Sequence, residues 1–160
     1  MKIKIYPKNK KHFIELLHFS KEILDLYKKI KIIPIAYGGL VFFAYVKDKK
    51  IIVNDLDFLV PESSFKKIIK VLKKKKIKYN YLPKWHIIQI FNGNLKVEMD
   101  SIEYWQKDLP RSFKNIDFNG FIIKAVNLNS LRNIYKKASQ VSKDNPQGNN
   151  RKYKMLKKIK

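Results

Sequence analysis

The run from Ile35 to Val60, I-A-Y-G-G-L-V-F-F-A-Y-V-K-D-K-K-I-I-V-N-D-L-D-F-L-V, leaves few folds open to this chain. It reads as a strand, a glycine pair, a short apolar helix over Leu40 to Val46, a turn at Asp48-Lys49-Lys50, and a second strand over Ile51 to Val60 that Pro61 stops. Alternate residues of a strand project from one face. Asn54, Leu56, Phe58 and Val60 therefore share a mostly apolar face, and Asp55 and Asp57 share the other. Two carboxylates side by side repel unless a cation lies between them. A hard divalent cation, which takes carboxylate oxygens together with substrate phosphates, answers that need. Gly38-Gly39 at the mouth of a helix would let backbone N–H groups approach a phosphate with no Cβ in the way.

The rest of the chain supplies a setting for this unit. Phe13, Leu16, Leu17, Ile23, Leu24, Tyr27 and Ile30 recur at helical spacing over residues 9–30. Lys31 to Tyr37 is the first central strand. Glu62, Ser63 and Ser64 offer capping for a helix over about 63–75, with Phe65, Ile68, Ile69 and Leu72 as its apolar stripe. Strands are expected over 77–82, 85–91 and 95–100, the last two joined as a hairpin at Asn92-Gly93-Asn94. In the 95–100 strand Leu95, Val97 and Met99 face one way, and Lys96, Glu98 and Asp100 the other. Residues 101–120 give no clear pattern. A strand over 121–126 and a helix over 127–140 follow, then a loop over 144–150 and a basic terminal helix over 151–160. The fold class is α/β: a mixed, twisted sheet of about five strands with helices mainly on one face. Residues 1–160 read as one domain with a basic helical tail from about 143.

Composition narrows the chemistry. The chain has no cysteine, which excludes disulfides and thiolate chemistry and fits a cytoplasmic setting. It has neither a run of the length a membrane span needs nor the apolar core of a signal peptide. The net charge of +23 attracts anions. Nearly all of it is lysine, and with abundant Ile and Asn this reads first as the coding bias of an AT-rich genome. Nucleic-acid binding, if any, is expected to be weak, sequence-independent and salt-sensitive.

Gly38-Gly39, then Asp55-Leu56-Asp57, then Val97-Glu98-Met99, in that order, resemble the DNA polymerase beta-like nucleotidyltransferase superfamily, its small lincosamide, minimal and abortive-infection-toxin types above all. The resemblance covers roughly residues 10–145. It implies transfer of a nucleoside monophosphate from a nucleoside triphosphate, ATP first among them, to a hydroxyl on a small molecule, a protein or a tRNA end. It implies two Mg²⁺ or Mn²⁺ ions held by Asp55, Asp57 and Glu98 as catalytic residues, with Asp100 the fallback third carboxylate. It implies nucleotide binding by Gly38 and Gly39, and by Lys143 of a Lys143-Asp144 pair. Relatives often carry Arg and Thr where this chain has Ile51 and Val53. The alternatives on the same fold are a non-catalytic, basic nucleic-acid-binding module and a toxin–antitoxin partner.

Overall fold

The computed structural model describes residues 1–105, 113–143 and 145–160. Its elements run β1 (Lys2–Ile3), α1 (Lys10–Lys29), β2 (Ile35–Tyr37), α2 (Gly38–Val46), β3 (Leu56–Val60), α3 (Phe65–Lys74), β4 (Lys78–Leu82), β5 (Ile87–Asn92), β6 (Leu95–Ser101), α4 (Ile102–Trp105), β7 (Phe113–Phe118), β8 (Phe121–Val126), α5 (Leu128–Val141) and α6 (Pro146–Lys157). The described strands form one mixed sheet in the order β1-β7-β8-β2-β3-β6-β5-β4. The α/β class stands, with eight strands where about five were expected.

The extra strands have local causes. Asn119 and Gly120 both have positive φ, 51° and 93°, and close a two-residue hairpin between β7 and β8. This Asn-Gly signal lies in the stretch that gave no clear pattern. The terminal strand β1 pairs in parallel with β7 only over Lys2 and Ile3.

Three other expectations shift. The ladder of β3 begins at Leu56, not Ile51. Residues before it are held instead by the start of α1: Asn9 donates through Nδ2 to the Val53 carbonyl at 2.8 Å and accepts from the Val53 N–H at 3.1 Å. Residues 146–150 are helix, not loop. Asn145 accepts from the Gly148 N–H and Pro146 fills the first turn, where a missing N–H costs nothing. Ser64 makes no side-chain cap on α3, whose entry is a turn of 3₁₀ helix over Glu62–Ser64.

The central strands are buried on their apolar face. Leu56, Phe58 and Val60 of β3, Val97 and Met99 of β6, and Ile88 and Ile90 of β5 are all fully covered. Helix α1 lies against β6, and its Phe13 ring meets Phe43 of α2 and Phe118 of β7 edge-on. Helix α6 packs on α5 and α2. No helix among the described residues is long and apolar enough to cross a membrane.

Candidate active site

Strand register builds the site. Tyr37 of β2 is opposite Asp57 of β3, and Asp57 is opposite Glu98 of β6, which is opposite Gln89 of β5. Opposed residues on neighbouring strands point to the same side, so four polar side chains form a row across the sheet. Asp100 lies two residues beyond Glu98 on that face. Asp57, Glu98 and Asp100 each present a carboxylate oxygen within 4.8 Å of the others. Asp57 and Glu98 are thus brought together as the sequence implied, and Asp100 completes the cluster. Asp55 stands just outside the ladder and pairs with Lys96, Nζ to Oδ2, at 2.9 Å.

The chain leaves β2 through a tight turn. Gly38 has φ +66°, and a Cβ there would lie 1.9 Å from Asp57 Oδ2. The glycine is needed for both the backbone conformation and the carboxylate's place. Around Gly39 the corresponding position has no neighbour within 4 Å, so the start of α2 is open to a ligand.

Crowding sets the protonation of the cluster. Burial, then the charges of Asp55, Asp100 and Glu98, push the Asp57 carboxyl well above the usual range, with Lys96 opposing. Burial and the Glu98 charge raise Asp100 to about 8, against hydrogen bonds from Tyr37 and Trp105 and the charge of Lys96. Asp100 is 1% exposed, and its Oδ2 has no hydrogen-bond partner. A buried, orphaned carboxylate oxygen beside two further carboxylates fits a hard divalent cation. Lys96 is pulled down by burial, but its bonds to Glu98 and Asp55 outweigh that and hold it above its ordinary value.

Two clefts flank this row. One, of about 370 Å³, is lined by Gly38, Gly39, Asp55, Asp57, Tyr135, Asn149 and Lys152 among others. Lys152 of α6 lies over the rings of Phe42 and Tyr135, 5.7 and 5.2 Å from their centroids. Burial lowers its pKa, the charges of Asp57 and Asp55 oppose that, and Arg151 adds to it. The other cleft, of about 450 Å³, opens on Glu98 and Lys96 and is walled by Trp85, Tyr104 and Trp105. Lys143 is exposed and belongs to this second cleft, away from Gly38-Gly39; Asp144 lies outside the described residues. Trp105 and Ser142 border both clefts.

Sequence reasoning missed Tyr37, Gln89 and Lys152, and read Trp105 as an aromatic for packing or base stacking with no link to the carboxylates. Lys96 was visible on the carboxylate face without its partners. Lys152 was hidden because the Asn- and Gln-rich segment before it concealed where α6 begins.

No family model matches the chain, and no curated protein matches it. Solved structures do. The antibiotic-resistance factor ANT(2'')-Ia, in complex with adenylyl-2''-tobramycin, is 12% identical with a TM-score of 0.64, over 88% of this chain and 86% of that one. The lincosamide antibiotic adenylyltransferase LnuA, lincomycin-bound, is 14% identical with a TM-score of 0.58, over 91% and 97%. An antigenic nucleotidyltransferase-like protein from Paracoccidioides brasiliensis is 11% identical with a TM-score of 0.59, over 89% and 75%. The fold is that of the nucleotidyltransferases.

Proposed function

We propose that this chain is a metal-dependent nucleotidyltransferase, moving a nucleoside monophosphate from a nucleoside triphosphate, ATP first among them, to a hydroxyl. The observation that carries this reading is the Asp57–Glu98–Asp100 cluster beside the open Gly38-Gly39 turn. A nucleotidyltransferase fold supports it.

Asp57, Glu98 and Asp100 would hold Mg²⁺ or Mn²⁺, with Asp55 beside them. Such an ion, when bound, neutralises phosphoryl charge and lowers the pKa of an attacking hydroxyl. The cleft at Gly38 and Gly39 takes the triphosphate. There, the first turn of α2 presents its backbone N–H groups and Lys152 a cation. Lys152 supplies charge that relatives often draw from the arginine replaced here by Ile51. The second cleft takes the acceptor, with Trp85, Tyr104 and Trp105 giving flat apolar surface and Gln89 a polar contact. Lys96, Lys143 and the net charge of +23 favour a neutral or anionic acceptor over a polycation. Residues 1–160 act as one unit, with α6 folded back to close the nucleotide cleft. The chain works in the cytoplasm, where nucleoside triphosphates are supplied.

The test is incubation with each of four α-labelled nucleoside triphosphates, Mg²⁺, and small-molecule, protein and tRNA acceptors. Label should appear covalently on one acceptor class and not with Asp57→Asn. No transfer from any nucleotide, with no nucleotide binding by calorimetry, would remove the reading.

A further inference from the structure

Four carboxylates crowd one patch of the sheet, and one lysine divides them. The Lys96 Nζ lies 2.9 Å from Asp55 Oδ2 and 2.7 Å from Glu98 Oε1. The same Glu98 oxygen accepts from Gln89 Nε2 at 2.9 Å. Among the described residues neither Asp57 nor Asp100 has an ion pair, and Asp100 Oδ2 is buried with no partner at all. The carboxylates therefore fall into two sets. Asp55 and one oxygen of Glu98 are already paired with a cation, while Asp57, Asp100 and the other oxygen of Glu98 are not.

Lys96 is fixed in this role by the strand. It precedes Glu98 by two residues, so the pleat puts it on the carboxylate face. Its side chain is 31% exposed, and Asp55 lies 33% exposed at the mouth of the nucleotide cleft. A divalent ion bridging Asp55 to the cluster would have to displace this ammonium from two carboxylates at once, and like charges would oppose it at short range.

We propose that Lys96 is a built-in cation of the site: its ammonium fills the position between Asp55 and Glu98, so the protein's own carboxylates hold a single divalent ion, in the Asp57–Glu98–Asp100 cluster. The inference rests on the reading of that cluster as a metal site. Asp55 then acts through Lys96 as a positioning residue rather than as a ligand.

The test is a titration of the nucleotide-free protein with Mn²⁺, followed by the electron paramagnetic resonance signal of the free ion. Wild type and Lys96→Arg should bind one Mn²⁺ per chain. Lys96→Met, which keeps the length and removes the charge, should bind two, and adding Asp55→Asn to it should return the count to one. Asp55→Asn alone should keep the single ion with nearly unchanged affinity, and this arm stands even if Lys96→Met fails to fold. Two ions on wild type, one on a folded Lys96→Met, or loss of the ion in Asp55→Asn would each overturn the proposal while leaving the metal site in place. No Mn²⁺ on any of the proteins would remove the metal site itself, and the proposal with it.

Discussion

Asp57 Oδ2 occupies the space that a side chain on Gly38 would fill, 1.9 Å from the position of its Cβ. The turn into α2 and the central carboxylate are therefore one packed unit. Gly38→Ala should cost about 2–3 kcal/mol, combining left-handed strain with displacement of Asp57. In a chain of this size that lowers the thermal midpoint by roughly 4–12 °C. Gly39→Ala meets open space and should leave the melt nearly unchanged while weakening nucleotide binding. Differential scanning calorimetry of the two variants, beside nucleotide titrations, checks both statements.

Asp57→Asn keeps the volume and removes one charge from a crowd. Burial and three neighbouring carboxylates already disfavour that charge. The variant should fold with equal or slightly greater stability and lose transfer. A clear drop in urea-unfolding free energy would mark Asp57 as a structural partner of Lys96. Transfer at the wild-type rate would remove Asp57 from the chemistry.

These expectations show which parts of the site could be read in the sequence. The alternation in D-L-D-F-L-V and L-K-V-E-M-D placed Asp57, Glu98 and Asp100 on one face of each strand, because the period of a strand is local. The register that sets Tyr37 against Asp57 and Asp57 against Glu98 joins residues distant in sequence, and no local pattern encodes it. The same holds for Trp105, which reaches Asp100 only through the placement of α4. The β7–β8 hairpin and the start of α6 did carry local signals, Asn119-Gly120 and Asn145-Pro146. Both sat in polar stretches whose composition reads as loop. Residues 51–55 read as strand from their β-branched side chains, yet Lys8 and Asn9, which lead into α1, bond the backbone of Ile51 and Val53 instead.

The raised pKa of Asp100 gives the metal-free protein a pH signature. A carboxyl that ionises near 8 when folded and near 3.9 when unfolded binds its proton more tightly in the fold. Its contribution is fully present below the unfolded value and is lost as pH rises toward 8. Melting in EDTA should therefore show wild type losing stability, relative to Asp100→Asn, between about pH 4 and 8. Above that window Asp100→Asn should be the more stable protein. Mg²⁺ or Mn²⁺ should restore wild type, and its uptake at pH 7 should release protons, read as a buffer-dependent heat. A difference between the two proteins that is flat with pH would mean Asp100 does not titrate in the fold.

The two clefts predict a separation of kinetic effects. Lys152 faces Gly38, Gly39 and Asp57, and its ammonium is held over two rings with no ion pair among the described residues. Replacing it with Ala removes the lysine that lines the nucleotide cleft, so KM for the triphosphate should rise by about tenfold or more. Trp85 is 54% exposed on the far side of the carboxylate row, where its loss costs little packing. Trp85→Ala should leave the melt and the nucleotide KM near wild type and raise the acceptor KM, since a stacked ring contributes about 1–3 kcal/mol when the acceptor is a base. Lys143 borders the same cleft, so Lys143→Ala should follow Trp85→Ala and not Lys152→Ala. Steady-state kinetics with each substrate varied in turn separates the two sides. A nucleotide KM that rises in Lys143→Ala and not in Lys152→Ala would reverse the assignment, placing the triphosphate in the aromatic cleft and the acceptor beside the glycine turn.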